Sequence, residues 1–153
     1  MPAFVAAGAG FLIAVLWFDL MFDVQTRRSR EPALPREVLA SIGGYYRRVT
    51  TEATPMNRLI TAVMLATLAA IVVEIVRGAA PRWVSWTSLA GALGGIGLAA
   101  ARTVRNAARI GRAEDPPEAL SRLARSVYRD HLICLACMGM VLTLQLIAAV
   151  LRP

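Results

Sequence analysis

The sequence predicts an all-α integral membrane protein, a four-transmembrane-helix bundle with amphipathic cytoplasmic helical segments. Three observations predict it. Hydrophobic residues fill 57% of the 153 positions and charged residues 18%, at a mean hydropathy of +0.55, which leaves too little polar surface for a soluble domain. The apolar residues gather in four runs, Phe4–Phe22, Leu59–Val76, Val84–Ala101 and Leu132–Leu151. Each is close to the ~20 residues a helix needs to cross a hydrocarbon core of ~30 Å. Finally, the basic residues collect between runs one and two and between runs three and four. Strands are excluded, because an open sheet would leave unpaired backbone groups facing lipid. The chain therefore reads as a single membrane domain over 1–153, with spans at about 3–24, 56–77, 83–104 and 131–151. The two long connections cover about 25–55 and 105–130.

A net charge of +7 could indicate a nucleic-acid binder, but its placement argues against one. All 17 basic residues are Arg. Seven (Arg27, Arg28, Arg30, Arg36, Arg47, Arg48, Arg58) separate spans one and two, and seven (Arg102, Arg105, Arg109, Arg112, Arg122, Arg125, Arg129) separate spans three and four. Only Arg77, Arg82 and Arg152 fall on the other side. This positive-inside pattern predicts that connections one and three are cytoplasmic and both termini outside, with the Arg residues touching anionic headgroups. The Arg- and Ala-rich usage suggests a GC-rich bacterial genome, and so a bacterial inner (plasma) membrane.

Span one opens on small residues (Ala6, Ala7, Gly8, Ala9, Gly10) that allow close helix approach, and closes on Trp17, Phe18 and Phe22 as interface anchors. It lacks a basic n-region, and its basic cluster follows the apolar run, so it reads as a retained span and not a signal peptide. In the first connection Leu34, Val38, Leu39, Ile42, Tyr45, Tyr46 and Val49 recur at helical spacing. They predict an amphipathic helix, started by Pro35 and weakened or kinked at Gly43-Gly44, lying against the membrane or under the bundle.

Thr54 as N-cap with Pro55 starts span two, and Gly78-Ala79-Ala80-Pro81 turns it into span three as an antiparallel neighbour. Trp83 and Trp86 suit an outer interface belt. Gly91 and Gly95 give span three a small-xxx-small face, and its Arg-bearing extension is expected to stay helical to about Gly111. Asp115 and Pro116 begin the last helix, which nothing interrupts, so a single rod over 116–151 would run about 54 Å. A weak echo (Pro35-x-Glu37-x-Leu39 then Tyr46-Arg47; Pro116-x-Glu118-x-Leu120 then Tyr128-Arg129) leaves a duplicated two-span hairpin open.

The residues that could carry function form a polar layer at the cytoplasmic end. Asp19 and Asp23 share a face of span one; Asn57 and Arg58 begin span two; Arg102 and Arg105 leave span three; His131 begins span four. A carboxylate at the depth of Asp19 is costly, so it is expected to face the bundle and find a cationic partner. Such a layer is either an ion-paired collar or a pocket for a headgroup, an anionic ligand or a proton-transfer step. His131 favours the second because it titrates near neutrality. His131, Cys134 and Cys137 follow one another at helical spacing and could touch one thiophilic metal or redox partner, or simply pack. Glu74 is expected to pair with Arg77, while Thr67, Thr143 and Gln145 can satisfy themselves on backbone carbonyls or on neighbouring helices. No phosphate-cradling loop, zinc-hydrolase helix or nucleophile elbow occurs.

The Cys134-x-x-Cys137 pair in a helix is similar to that of the four-span, quinone-linked thiol oxidoreductases of the vitamin K epoxide reductase family, whose additional loop cysteines have no counterpart here. The four-span layout also resembles the membrane-associated glutathione and eicosanoid enzymes and the anthrone oxygenase-like group, without a motif that matches either. The expected function is binding of a lipid, quinone or similar amphiphile, or of a partner membrane protein or second copy, through the Arg/Asp layer. A small membrane enzyme of oxidoreductase or transferase type and a structural subunit are the alternatives. No particular cofactor follows from the sequence.

Overall fold

The apolar runs become long helices because nothing breaks them and their backbone polar groups can be satisfied only within the helix in an apolar medium. In the computed structural model, which describes residues 2–29 and 31–150, α1 covers Pro2–Asp23 and ends in a 3-10 turn over Val24–Arg28. An amphipathic α2 (Arg36–Arg47) runs into a π-helical turn, Arg48–Glu52. α3 (Thr54–Arg77) and α4 (Arg82–Leu98) form a hairpin. A second π turn, Ala99–Thr103, joins α4 to α5 (Val104–Arg112), and α6 (Pro117–Val150) completes the chain. The described residues are helical apart from short connections, without a strand, and four helices are long and apolar enough to cross a membrane. Arg30 and Arg152, counted among the charges above, and Leu151 at the end of the last run lie outside the described residues.

Two hydrophobic cores stack along the bundle. The larger joins Val5, Ala9 and Leu12 of α1, Ile71 of α3, Ala92 of α4, and Met138 and Val141 of α6. Here small residues set the spacing, as the sequence leads one to expect. A Cβ on Gly95 would sit 3.2 Å from Cys137 Cβ and 3.3 Å from the Met138 methyl, and one on Gly8 would collide with Thr67 Oγ1. Away from this core Phe4, Leu65, Val76, Leu93, Leu132 and Leu146 are among twenty large hydrophobic side chains left exposed, spread over all four long helices, as a surface that faces an apolar medium would be.

The second core lies under the first. Leu34 and Val38, Ile42 and Tyr46 of α2 pack on Ala107 and Ile110 of α5 and on Ala124 and Val127 of α6. Of the two placements expected for the amphipathic helix, the structure adopts the one beneath the bundle. Gly43 does not break α2; it admits the Ile110 carbonyl, 3.3 Å from where its Cβ would be, and Gly111 likewise meets the α2 backbone at Arg47. The strap before α2 is held by α6. The Arg125 guanidinium donates to the carbonyls of Ser29, Glu31 and Pro32, and the Leu34 N–H donates to Ser121 Oγ at 2.9 Å.

The α3–α4 hairpin turns at Gly78, whose φ of 58° closes the helix with Ala79 N–H donating to the Glu74 carbonyl at 3.0 Å. α6 is one rod of 34 residues, about 51 Å, starting one residue later than expected. Asp115 is engaged by Arg109, at 2.9 and 3.2 Å, on the α5 side of the turn.

Candidate functional site

Polar side chains occupy the level between the two cores. Asp19 and Asp23 lie a turn apart near the end of α1; Asp23 is fully buried and the Asp19 side chain is 15% exposed. α2 passes below and presents two adjacent tyrosines to them. Tyr45 donates its hydroxyl to Asp19 Oδ1 and Tyr46 to Asp23 Oδ1, each at 2.6 Å. α6 contributes His131, whose Nδ1 donates to Asp23 Oδ2 at 2.6 Å and whose Nε2 stands 3.7 Å from Asp19 Oδ2. The Phe22 ring stacks on Tyr45 at 4.1 Å and fixes its plane. Burial foremost, and then the neighbouring carboxylates, push both phenols up from their ordinary value, so both remain donors across the physiological range.

Asp19 was expected to face the bundle and find a cationic partner, and none of its partners among the described residues is an Arg. Instead it takes Tyr45 and lies beside His131. The arginine goes to a residue the sequence did not single out: Asp130, fully buried, receives Arg102 through both carboxylate oxygens, and the Thr103 hydroxyl donates to it at 3.3 Å. The π turn makes this possible by widening the helix where Arg102 and Thr103 leave it. Arg58 and Arg105 are exposed; Arg105 donates to the Ala101 carbonyl of its own helix. The two tyrosines, read in the sequence only as part of an apolar face, are the principal donors of the site.

Beside this network a cavity of about 720 Å³ opens among the four long helices, with α2 and α5 closing its lower end. Its polar end carries Asp19, Tyr45, Tyr46, Asn57 and His131; Phe11, Leu12, Ile60, Met64, Ile96 and Met138 line the rest. No Arg is among its described lining residues. Both π turns contribute to the wall, through Val49 and Thr50 and through Ala99 and Thr103. The volume falls within the range of small-molecule sites, ~300–1,000 Å³.

The cysteines belong to the helix contact. Cys134 is buried and its thiol donates to the Gly95 carbonyl at 3.3 Å, while Cys137 packs against Gly95. Among the described residues no group of three or more His, Cys, Asp or Glu could hold a metal ion.

A second buried polar group lies toward the other end of the bundle. Glu74, fully buried, accepts from Ser85 Oγ at 2.8 Å and from Gln145 Nε2 at 3.1 Å, and Gln145 Nε2 also lies 3.1 Å from Ser88 Oγ. The expected Glu74–Arg77 pair is not formed, because Glu74 turns inward while Arg77 is exposed. Gln145 takes the second of the two options expected for it and bonds neighbouring helices, whereas Thr67 and Thr143 bond their own helix, at 2.7 and 2.9 Å.

No protein-family model, curated protein or solved structure matches this chain.

Proposed function

We propose that the protein is an integral protein of a bacterial inner membrane that holds an amphiphile in the cavity between its helices. The exposed apolar surface and the four long helices support insertion, and the one-sided Arg placement supports cytoplasmic 25–55 and 105–130 with both termini outside. The observation that carries the binding role is the cavity of about 720 Å³, apolar along its length and polar at one end.

The chemistry of that end selects the ligand. One carboxylate, Asp19, lines it as an acceptor, the tyrosine hydroxyls and His131 Nδ1 are already committed to Asp19 and Asp23, and no Arg is among the described lining residues. A phosphate or carboxylate head would meet like charge without compensation. A neutral head that donates, as a hydroquinone or phenol does, would find an acceptor in Asp19 and a partner in His131 Nε2. The ligand class is thus a quinol-like amphiphile and not an anionic lipid.

Thermal protection of the purified full chain by octylhydroquinone, set against octyl phosphate of equal chain length, tests this. The hydroquinone raises the midpoint, does so less in Asp19→Asn, and the phosphate ester does not. Equal protection by both, or by neither, refutes the assignment.

The Tyr46–Asp23–His131 chain of 2.6 Å bonds favours a second reading, a membrane enzyme that moves a proton from the bound head. Oxidation of a quinol by an added two-electron acceptor, accelerated by the wild type and not by His131→Gln with binding retained, would distinguish it from a carrier.

A further inference from the structure

Glu74 poses a problem that hydrogen-bond counting resolves. Two atoms among the described residues are buried without a partner, Glu74 Oε2 and Gln145 Oε1. They are the free halves of two planar groups already joined by one bond, Gln145 Nε2–H to Glu74 Oε1 at 3.1 Å. An ionised carboxylate can only accept, and so can an amide oxygen, so neither orphan can satisfy the other. One proton on Glu74 Oε2 changes this. The carboxylic acid then accepts from the amide N–H through Oε1 and donates to the amide oxygen through Oε2, closing a cyclic acid–amide pair.

Turning the amide over does not remove the need, although side-chain amides are often assigned either way. The amide oxygen would then stand where the nitrogen is, 3.1 Å from Glu74 Oε1, and two acceptors would face each other unless a proton lay between them. Among the described residues the surroundings offer no substitute charge. α4 contributes the hydroxyls of Ser85 and Ser88, and α6 contributes the neutral Gln145. From Pro2 to Phe18, α1 carries no ionisable side chain. Arg77 and Arg82, the charged residues at the hairpin, are exposed, and neither makes an ion pair with Glu74. A bare carboxylate, fully buried in a helix of the apolar bundle, would have no cation beside it among the described residues.

We propose that Glu74 and Gln145 form a proton-binding site, a neutral carboxylic acid held against a side-chain amide between α3 and α6. It is separate from the cavity, whose lining includes neither residue, and it does not depend on the function proposed for that cavity.

Infrared spectroscopy of the full chain in lipid at neutral pH tests it. The expected result is a carbonyl stretch of a protonated carboxyl group that disappears in Glu74→Gln and shifts in Gln145→Leu. Glu74→Gln is also expected to unfold at the wild-type temperature, because its amide N–H supplies permanently the donor that the proton supplies in the wild type. A spectrum without a protonated carboxyl band assignable to Glu74 would overturn the proposal. So would a band abolished by sodium ions, which would make the site an alkali-cation site, or a Glu74→Gln chain much less stable than wild type.

Discussion

Removing one oxygen atom from Tyr46 isolates the bond that joins the lower core to the polar layer. Tyr46 is 2% exposed, its hydroxyl lies 2.6 Å from Asp23 Oδ1, and Asp23 is fully buried. Tyr46→Phe keeps the ring and its packing, so no cavity forms. What is lost is a hydrogen bond to a charged group, in general about 1.5–3 kcal/mol. Because His131 still donates to Asp23 Oδ2, the carboxylate is not stripped of partners, and the middle of that range, about 2 kcal/mol, is expected. Tyr45→Phe is expected to cost less, about 0.5–1 kcal/mol, since Asp19 is partly exposed and water can replace the phenol. Tyr128→Phe, half-buried on α6, serves as the control at under about 0.5 kcal/mol. Reversible unfolding in mixed micelles, titrated with a denaturing detergent and followed by circular dichroism, reads all three. A Tyr46→Phe loss equal to that of Tyr128→Phe would refute the view that Tyr46 anchors the buried carboxylate.

Other expectations follow from the same contacts. Arg102→Gln leaves Asp130 buried without its cation; a loss is expected in the same titration, smaller than that of a fully buried pair because the Arg102 side chain is 53% exposed. Gly95→Val forces α4 away from Cys137 and Met138 and is expected to destabilise by about 1–3 kcal/mol, whereas Gly97→Ala meets open space and is expected to be tolerated. Alkaline pH is expected to unfold the protein through the tyrosines. Their folded pKa values are raised, so the stability they contribute is complete below the ordinary phenol value of about 10 and is lost as pH rises beyond it. The Tyr45→Phe/Tyr46→Phe double variant should show a shallower loss above that pH in a pH-dependent melting series.

The four long helices and their antiparallel order were legible because an apolar run of that length has one solution in lipid. The amphipathic helix was legible too, from Leu34 to Val49, although its place under the bundle was one of two options. What the sequence could not give was azimuth. Asp130 and His131 are neighbours, yet helical geometry turns them to different partners, Arg102 for one and Asp23 for the other. Glu74 and Arg77 have the spacing of an ion pair, but burial of one and exposure of the other separates them. The tyrosines were read as apolar because their rings pack; their hydroxyls matter only once α1 is known to lie above α2. The π turns left no clear mark in the residues; one of them carries Arg102 and Thr103, whose side chains reach Asp130.

The most direct measurement of the central claim is native mass spectrometry of the full chain released from a mild detergent without prior delipidation. A single small molecule of defined mass, retained by the wild type and lost when Ala99→Phe fills the cavity wall, is the predicted result. A bare chain, or the same detergent and phospholipid adducts on both proteins, would contradict it and leave the polar layer as a collar that joins two cores.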